Sequence, residues 1–184
     1  MVHIFIDIEN TLIDDLFSCN LLQEQCDRVK NFIWNEVLSC YSQAEVGLFT
    51  WGWKTKEEIR PEIVDWLFSA LDIPENLRGP VLTKDDSIEC AYRHNWVNTK
   101  DEVELEDLHI PGAMKRFGLE KQTCFVQQAK DMANFPEERE ALTPTDLFIL
   151  IDDTNEKGII DRRTVSSTRK GDTVKIEFRN PEDL

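Results

Sequence analysis

The chain alternates short, wholly apolar runs with longer stretches whose apolar positions recur every three or four residues. His3-Ile4-Phe5-Ile6 comes first, β-branched and aromatic, as a strand buried on both faces requires. Leu22, Cys26, Val29, Ile33 and Val37 follow at helical spacing and predict a helix of about four turns. Glu45-Val46-Gly47-Leu48-Phe49-Thr50 reads as a second strand ending on a hydroxyl. Thr55-Lys56-Glu57-Glu58 has the spacing of a capping box. The helix it opens would bury Ile59, Ile63, Trp66, Leu67 and Ala70, with Pro61 delaying the helical start. Leu71-Asp72-Ile73-Pro74 ends that helix, and Pro80-Val81-Leu82-Thr83 reads as a third short parallel strand. Cys124-Phe125-Val126 leads into another helical stretch, and Asp146-Leu147-Phe148-Ile149-Leu150-Ile151 is a further buried strand. This alternation predicts an α/β, doubly wound fold with a mainly parallel sheet, in a single domain spanning 1–184.

The chemistry is concentrated where the apolar runs stop. The first ends on Asp7, Glu9 and Thr11, and the last on Asp152-Asp153-Thr154-Asn155. In open α/β sheets ligands bind in the crevice beyond the strand C-termini. Acids two apart on extended backbone face the same side of the sheet, so Asp7 and Glu9 form a pair. Such a pair either binds metal or divides into nucleophile and acid/base. The plainer reading is a polar turn in which Asn10 and Thr11 cap the next segment. The second acidic strand end favours the chemical reading, because two parallel strands would gather three or four carboxylates around one hard cation. Mg²⁺ suits an all-oxygen set that leaves room for water and substrate phosphate. Thr50 supplies a hydroxyl and Lys130 a cation, completing a phosphoryl-transfer set.

In order and spacing these residues resemble the haloacid dehalogenase superfamily of phosphatases. Asp7-Ile8-Glu9-Asn10-Thr11 matches the first motif, Thr50 the second, Lys130 the third and Asp152-Asp153 the fourth, over roughly residues 1 to 155. The resemblance implies a Rossmann-like sheet and a Mg²⁺-dependent phosphomonoesterase that uses Asp7 as nucleophile. Mg²⁺ would be held by Asp7, Asp152 and the main-chain carbonyl of Glu9, with Asp153 orienting water or lysine. Thr50 and the following N–H would bind a phosphoryl oxygen, and Lys130 would stabilise charge. Glu9 would protonate the leaving oxygen and later activate water.

Glu9 departs from the family pattern, which has Asp there. The carboxyl moves out by about 1.5 Å, and mispositioning of that order costs about a hundredfold in rate. The rival expectation is therefore a catalytically silent binding or scaffold protein that keeps the metal and phosphate pocket. For the third motif Lys84, Lys115 and Lys121 lie in the same interval; Lys130 is preferred because Lys130-Asp131 follows an apolar run and resembles the Lys-Asp of the family's small phosphatases.

Trp51-Gly52-Trp53 directly after Thr50 can stack on a planar substrate group or wall the pocket, packing being the commoner role. Gly52 would let the chain turn sharply there. Residues 84–122 follow the third strand, where some family members insert a cap, and read either as a small cap-like insertion or as elements flanking the sheet. After Asp153 the resemblance implies a helix and another parallel strand. Gly158-Ile159-Ile160, Arg169-Lys170-Gly171-Asp172 and Thr173–Phe178 instead suggest a turn and an edge strand or hairpin.

Composition narrows the partners. A net charge of −15 disfavours broad nucleic-acid binding but not a phosphorylated small substrate. Lys157, Arg162, Arg163, Arg169, Lys170, Lys175 and Arg179 form the one basic concentration, either a phosphate-recruiting rim or a solvated turn. No apolar run reaches the length of a membrane span and no leader pattern precedes the first strand, so a cytoplasmic protein is expected. Five cysteines without a CxxC pair argue against a disulfide framework, and Cys26 falls on an apolar helix face. Zinc is disfavoured: Cys90 and His94 could share a helix face, but no second pair has ligand spacing.

Overall fold

A computed structural model describes residues 1–97, 121–134, 147–166 and 173–184. The strands are β1 (Val2–Ile6), β2 (Ala44–Phe49), β3 (Arg78–Leu82), β4 (Leu147–Ile151), β5 (Asp161–Ser166) and β6 (Thr173–Arg179). They form one sheet in the order β3-β2-β1-β4-β6-β5, parallel except where β5 runs against β6. Among the described residues the α-helices are α1 (Gln23–Asn31), α2 (Pro61–Ala70), α3 (Lys84–Arg93) and α4 (Lys121–Asn134).

Alternate residues of the central strands feed two cores, as the period of two along a strand demands. Ile4, Ile6, Val46, Leu48, Ile149 and Ile151 pack on the face covered by α1 and α2, against Cys26, Val29, Leu67 and Phe68. Phe5, Phe49, Phe148 and Leu150 point to the other face, against Ile88 and Ala91 of α3 and Cys124, Phe125 and Ala129 of α4. The Phe125 ring sits edge-on to Phe5 and Phe49 at 5.6 Å and to Phe178 at 6.0 Å. Gly47 is required where β2 passes its neighbours, since a Cβ there would stand 2.5 Å from the Pro80 carbonyl oxygen and 2.8 Å from the Phe5 ring.

Several expectations are amended. The helix over 22–37 is present, but after α1 it widens into a π-helical segment, Phe32–Val37. The Thr55–Glu58 capping box forms, yet it closes a single 3₁₀ turn, and α2 starts at Pro61, where its missing N–H costs nothing. Leu67 and Phe68 carry the buried face of α2, whereas Trp66 is exposed. Of the segment read either as an insertion or as elements flanking the sheet, 84–93 is α3, which flanks the sheet and packs on it through Ile88 and Ala91. Positions 98–120, with Lys115, lie outside the described residues.

Of the two expectations for the C-terminal segment, edge strand or hairpin, the hairpin is present, β5 running antiparallel to β6. β6 is no edge strand: it pairs in parallel with β4, and the antiparallel β5 forms the edge outside it. The nearby cations are matched to acids: Lys157 to Glu182, Arg162 and Arg179 to Glu177, and Arg163 to Asp161. Arg169 and Lys170 lie outside the described residues. All five cysteines are free. Among the described residues no helix is long and apolar enough to cross a membrane.

Candidate active site

Register brings the two acidic strand ends together. Ile6 is paired with Leu48 on one side and Ile151 on the other, so β1 lies between β2 and β4 with their C-terminal ends aligned. From β1 the chain builds outward through β2 and β3, then returns to place β4 on the other side of β1. The reversal between β1 and β4 is the switch point at which such sheets open a crevice. Asp7 and Asp152 are the first residues beyond those two strands, and the Asp7 N–H donates to the Ile151 carbonyl at 2.8 Å.

Asp7, Asp152 and Asp153 place carboxylate oxygens within 4.8 Å of one another. The Lys121 ammonium joins them, 2.5 Å from Asp7 Oδ1 and 2.7 Å from Asp152 Oδ2. Asp7 and Asp152 are buried, and Lys121 and Asp153 are partly buried. Burial raises the Asp7 carboxyl well above its ordinary range; Lys121 opposes the rise, while Asp152 and Glu9 add to it. Burial and the charge of Asp152 push Asp153 up to about 6. Burial works against the Lys121 ammonium, but Asp7 and Asp152 outweigh it and hold the group above its usual value.

The lysine brought to the acids is thus Lys121, and Lys130 is corrected. A helix that leads into a parallel strand runs antiparallel to it, so only its first turn lies level with the strand C-termini. Lys121 is the first residue of α4. Lys130 lies nine residues further along the same helix, about 13 Å down its axis. Gln122 anchors this helix start, its Nε2 donating to Asn155 Oδ1 at 2.7 Å while its Oε1 accepts from Arg163 at 2.8 Å. Asn155 is itself fixed by donating to the carbonyls of Leu150 and Arg179. Lys84, another candidate, is buried at the start of α3, where the Thr83–Asp86 capping box opens the helix.

Thr11 does not cap a helix; it links the two strand ends. Its hydroxyl points to Asp7 Oδ2 at 3.4 Å and accepts the Asp153 N–H at 3.2 Å. Asn10 makes this possible by taking a left-handed conformation with φ 57°. Thr154, which sequence reasoning passed over, donates both its N–H and its hydroxyl to Asp152 Oδ1, at 2.8 and 2.6 Å. A Thr two residues past a strand-end Asp was the available signal, because such pairs close Asx turns.

Glu9 keeps its carboxylate out of the acid cluster. Thr50 donates its hydroxyl to Glu9, 3.0 Å from Oε2 and 3.2 Å from Oε1, and accepts the Gly52 N–H at 3.1 Å. The hydroxyl expected on a phosphoryl oxygen is thereby held by the expected acid/base residue. Trp51, expected to bind substrate, is buried at 6% exposure and donates its indole N–H to Ser87 at 2.9 Å. It walls the α3 side of the crevice and offers no stacking face.

The donor set fits a hard divalent cation. Three carboxylates face one ammonium, a formal deficit of two charges, and every donor is oxygen. The Asp152 Oδ2 atom is buried and accepts no aligned hydrogen bond despite its ion pair with Lys121. Comparisons of the chain with protein-family models, with curated proteins and with solved structures found no match.

Proposed function

We propose that the chain is a Mg²⁺-dependent phosphomonoester hydrolase of the haloacid dehalogenase type, working through an aspartyl-phosphate on Asp7. The observation that carries the reading is the meeting of Asp7, Asp152, Asp153 and Lys121 at the switch point between β1 and β4. Asp7, Asp152 and Asp153 would hold the ion, with the main-chain carbonyl of Glu9 as the further ligand that the resemblance implies. Bound there, Mg²⁺ supplies Lewis-acid charge neutralisation.

The chain's own groups account for the remaining steps. An Asp7 oxygen attacks phosphorus in line, the new P–O bond forming as the ester P–O bond breaks. The Glu9 carboxyl gives its proton to the departing oxygen, and its carboxylate then takes a proton from the water that cleaves the Asp7–phosphoryl bond. Lys121 and the Thr50 hydroxyl stabilise charge on the phosphoryl oxygens. For Thr50 to do so, Glu9 must release it, so acid/base positioning and phosphate binding are coupled through one hydroxyl.

A second reading, a binding or scaffold protein, is favoured by one observation. Lys121 already bridges the two strand ends, and a partly buried ammonium between acids can be purely structural. Hydrolysis of a panel of aryl and alkyl phosphates, with and without Mg²⁺, separates the two. The enzyme reading expects metal-dependent turnover that disappears in Asp7→Asn. Turnover surviving that change means another nucleophile, and silence across the panel leaves the scaffold.

A further inference from the structure

Between α3 and α4, on one face of the sheet, lies a second cluster, remote in composition from the acid site. Cys90 and His94 are four apart at the end of α3, so their side chains share one helix face. Asp131, from the third turn of α4, meets them: His94 Nε2 lies 3.0 Å from both Asp131 oxygens, and Cys90 Sγ lies 3.7 Å from Oδ2. One ligand atom from each of the three residues falls within 4.8 Å of the others. We propose that Cys90, His94 and Asp131 form a binding site for a borderline transition-metal ion, Zn²⁺ by its chemistry, tying α3 to α4.

The donors match that ion in type and spacing. Zinc takes thiolate, imidazole and carboxylate at about 2.0–2.3 Å in tetrahedral geometry, which sets ligand atoms about 3.5 Å apart. The observed 3.0 and 3.7 Å separations bracket that value, so small side-chain adjustments suffice. The carboxylate is held in place by Gln127 Nε2, 3.0 Å from Oδ1, with Arg93 3.5 Å from Oδ2. Outer contacts of this kind orient metal ligands. A thiolate and a carboxylate carry two negative charges against a divalent ion, with His94 neutral. The His94 side chain is 30% exposed, which gives the ion a way in and leaves a fourth position for water.

The chemistry also argues against a nucleophilic role. His94 and Cys90 both turn toward Asp131, so no imidazole is placed between thiol and carboxylate as a relay needs. Burial, with Asp131 adding its charge, pushes the Cys90 thiol up to about 12. Such a thiol is inert until a cation offsets the neighbouring charge, and metal coordination deprotonates it outright. On binding, the Cys90 proton leaves to solvent and the His94 proton is carried on Nδ1, so about one proton is released per ion. The sequence could not supply this site, because Asp131 comes from a helix that no ligand spacing links to Cys90 and His94.

Titrating the metal-free chain with Co²⁺ tests the site, since only a thiolate ligand gives a ligand-to-metal charge-transfer band in the near ultraviolet. The expected result is a band that saturates at one Co²⁺ per chain, is displaced by Zn²⁺ and is unmoved by excess Mg²⁺. It should vanish in Cys90→Ser, weaken in affinity by about a hundredfold in His94→Ala, and persist in Cys40→Ser, which alters an exposed cysteine. A wild-type chain without the band, as a merely hydrogen-bonded cluster would give, overturns the proposal even if the variants fail to fold. So does a band that survives Cys90→Ser.

Discussion

A Cβ at position 52 would stand 1.2 Å from Oε1 of Glu9, so the Glu9 carboxylate rests where any side chain on residue 52 would begin. The obstructing atoms are the ends of side chains, the Glu9 carboxylate and Leu16 Cδ1 at 2.7 Å, so Gly52→Ala should displace Glu9 from Thr50, shift Leu16 slightly and leave the sheet intact. A stability loss of about 1 kcal/mol is expected, roughly one hydrogen bond. Urea unfolding of Gly52→Ala, Glu9→Ala and the double variant checks this: the Gly52→Ala penalty should shrink once Glu9 is gone. Equal penalties in both backgrounds would show that the two residues are not coupled.

Under the proposed function, Glu9→Gln should lower kcat by about 10²–10⁴-fold, the range for a lost general acid/base. Metal affinity should change little, because the Glu9 carboxylate stands outside the acid cluster. Steady-state kinetics beside Mg²⁺ titration calorimetry separates the two effects, and an unchanged kcat would remove Glu9 from the chemistry.

Lys121→Met strips the only ammonium seen against Asp7 and Asp152 among the described residues. Breaking a buried pair in this way costs about 3–5 kcal/mol. Mg²⁺ should restore more thermal stability to this variant than to the wild type, because it answers the same charge deficit. Lys130→Met should leave metal-dependent turnover near wild type. Thermal unfolding with EDTA or Mg²⁺, together with turnover assays, reads both outcomes.

The raised Asp153 carboxyl has a definite pH signature. Its folded-state value of about 6 lies above the ordinary 3.8, so the folded chain holds the proton more tightly than the unfolded one. The stabilisation is fully present below 3.8 and is lost as pH rises through about 6. Without metal, the wild type should therefore lose stability relative to Asp153→Asn between those values. Mg²⁺ binding needs the ionised group, so affinity should climb over the same interval. Denaturant titrations in EDTA and calorimetry with Mg²⁺ across pH 4 to 7 would reveal a flat difference if Asp153 titrates normally.

How much was legible follows from the range of each interaction. β1 and β4 were readable because apolar runs such as Ile4–Ile6 and Leu147–Ile151 have little alternative to a buried parallel strand, whereas β3, Arg78–Leu82, starts two residues before its apolar Pro80–Leu82 run. The meeting of Asp7 with Asp152 followed from the same runs, since strand ends in one parallel sheet share an edge. Lys121 was not selected because the choice rested on a dipeptide likeness, whereas the deciding quantity was distance along a helix axis. The place of β6 escaped for a related reason: its alternation, with Val174, Ile176 and Phe178 buried, fits an edge or an interior strand equally well, and only pairing with β4 decides. Trp51 reads the same in sequence whether it faces a ligand or, as here, Ser87.

The loop carrying Asp152 and Asp153 is pinned from both ends of the chain. Thr11 accepts the Asp153 N–H, while Asn180 donates to the carbonyls of Asp153 and Asn155. Closing such distant segments is slow and comes late in folding, after local helices have formed. Ion affinity at this edge should therefore emerge only in the final folding step, which would make it a reporter of completed assembly rather than of early collapse.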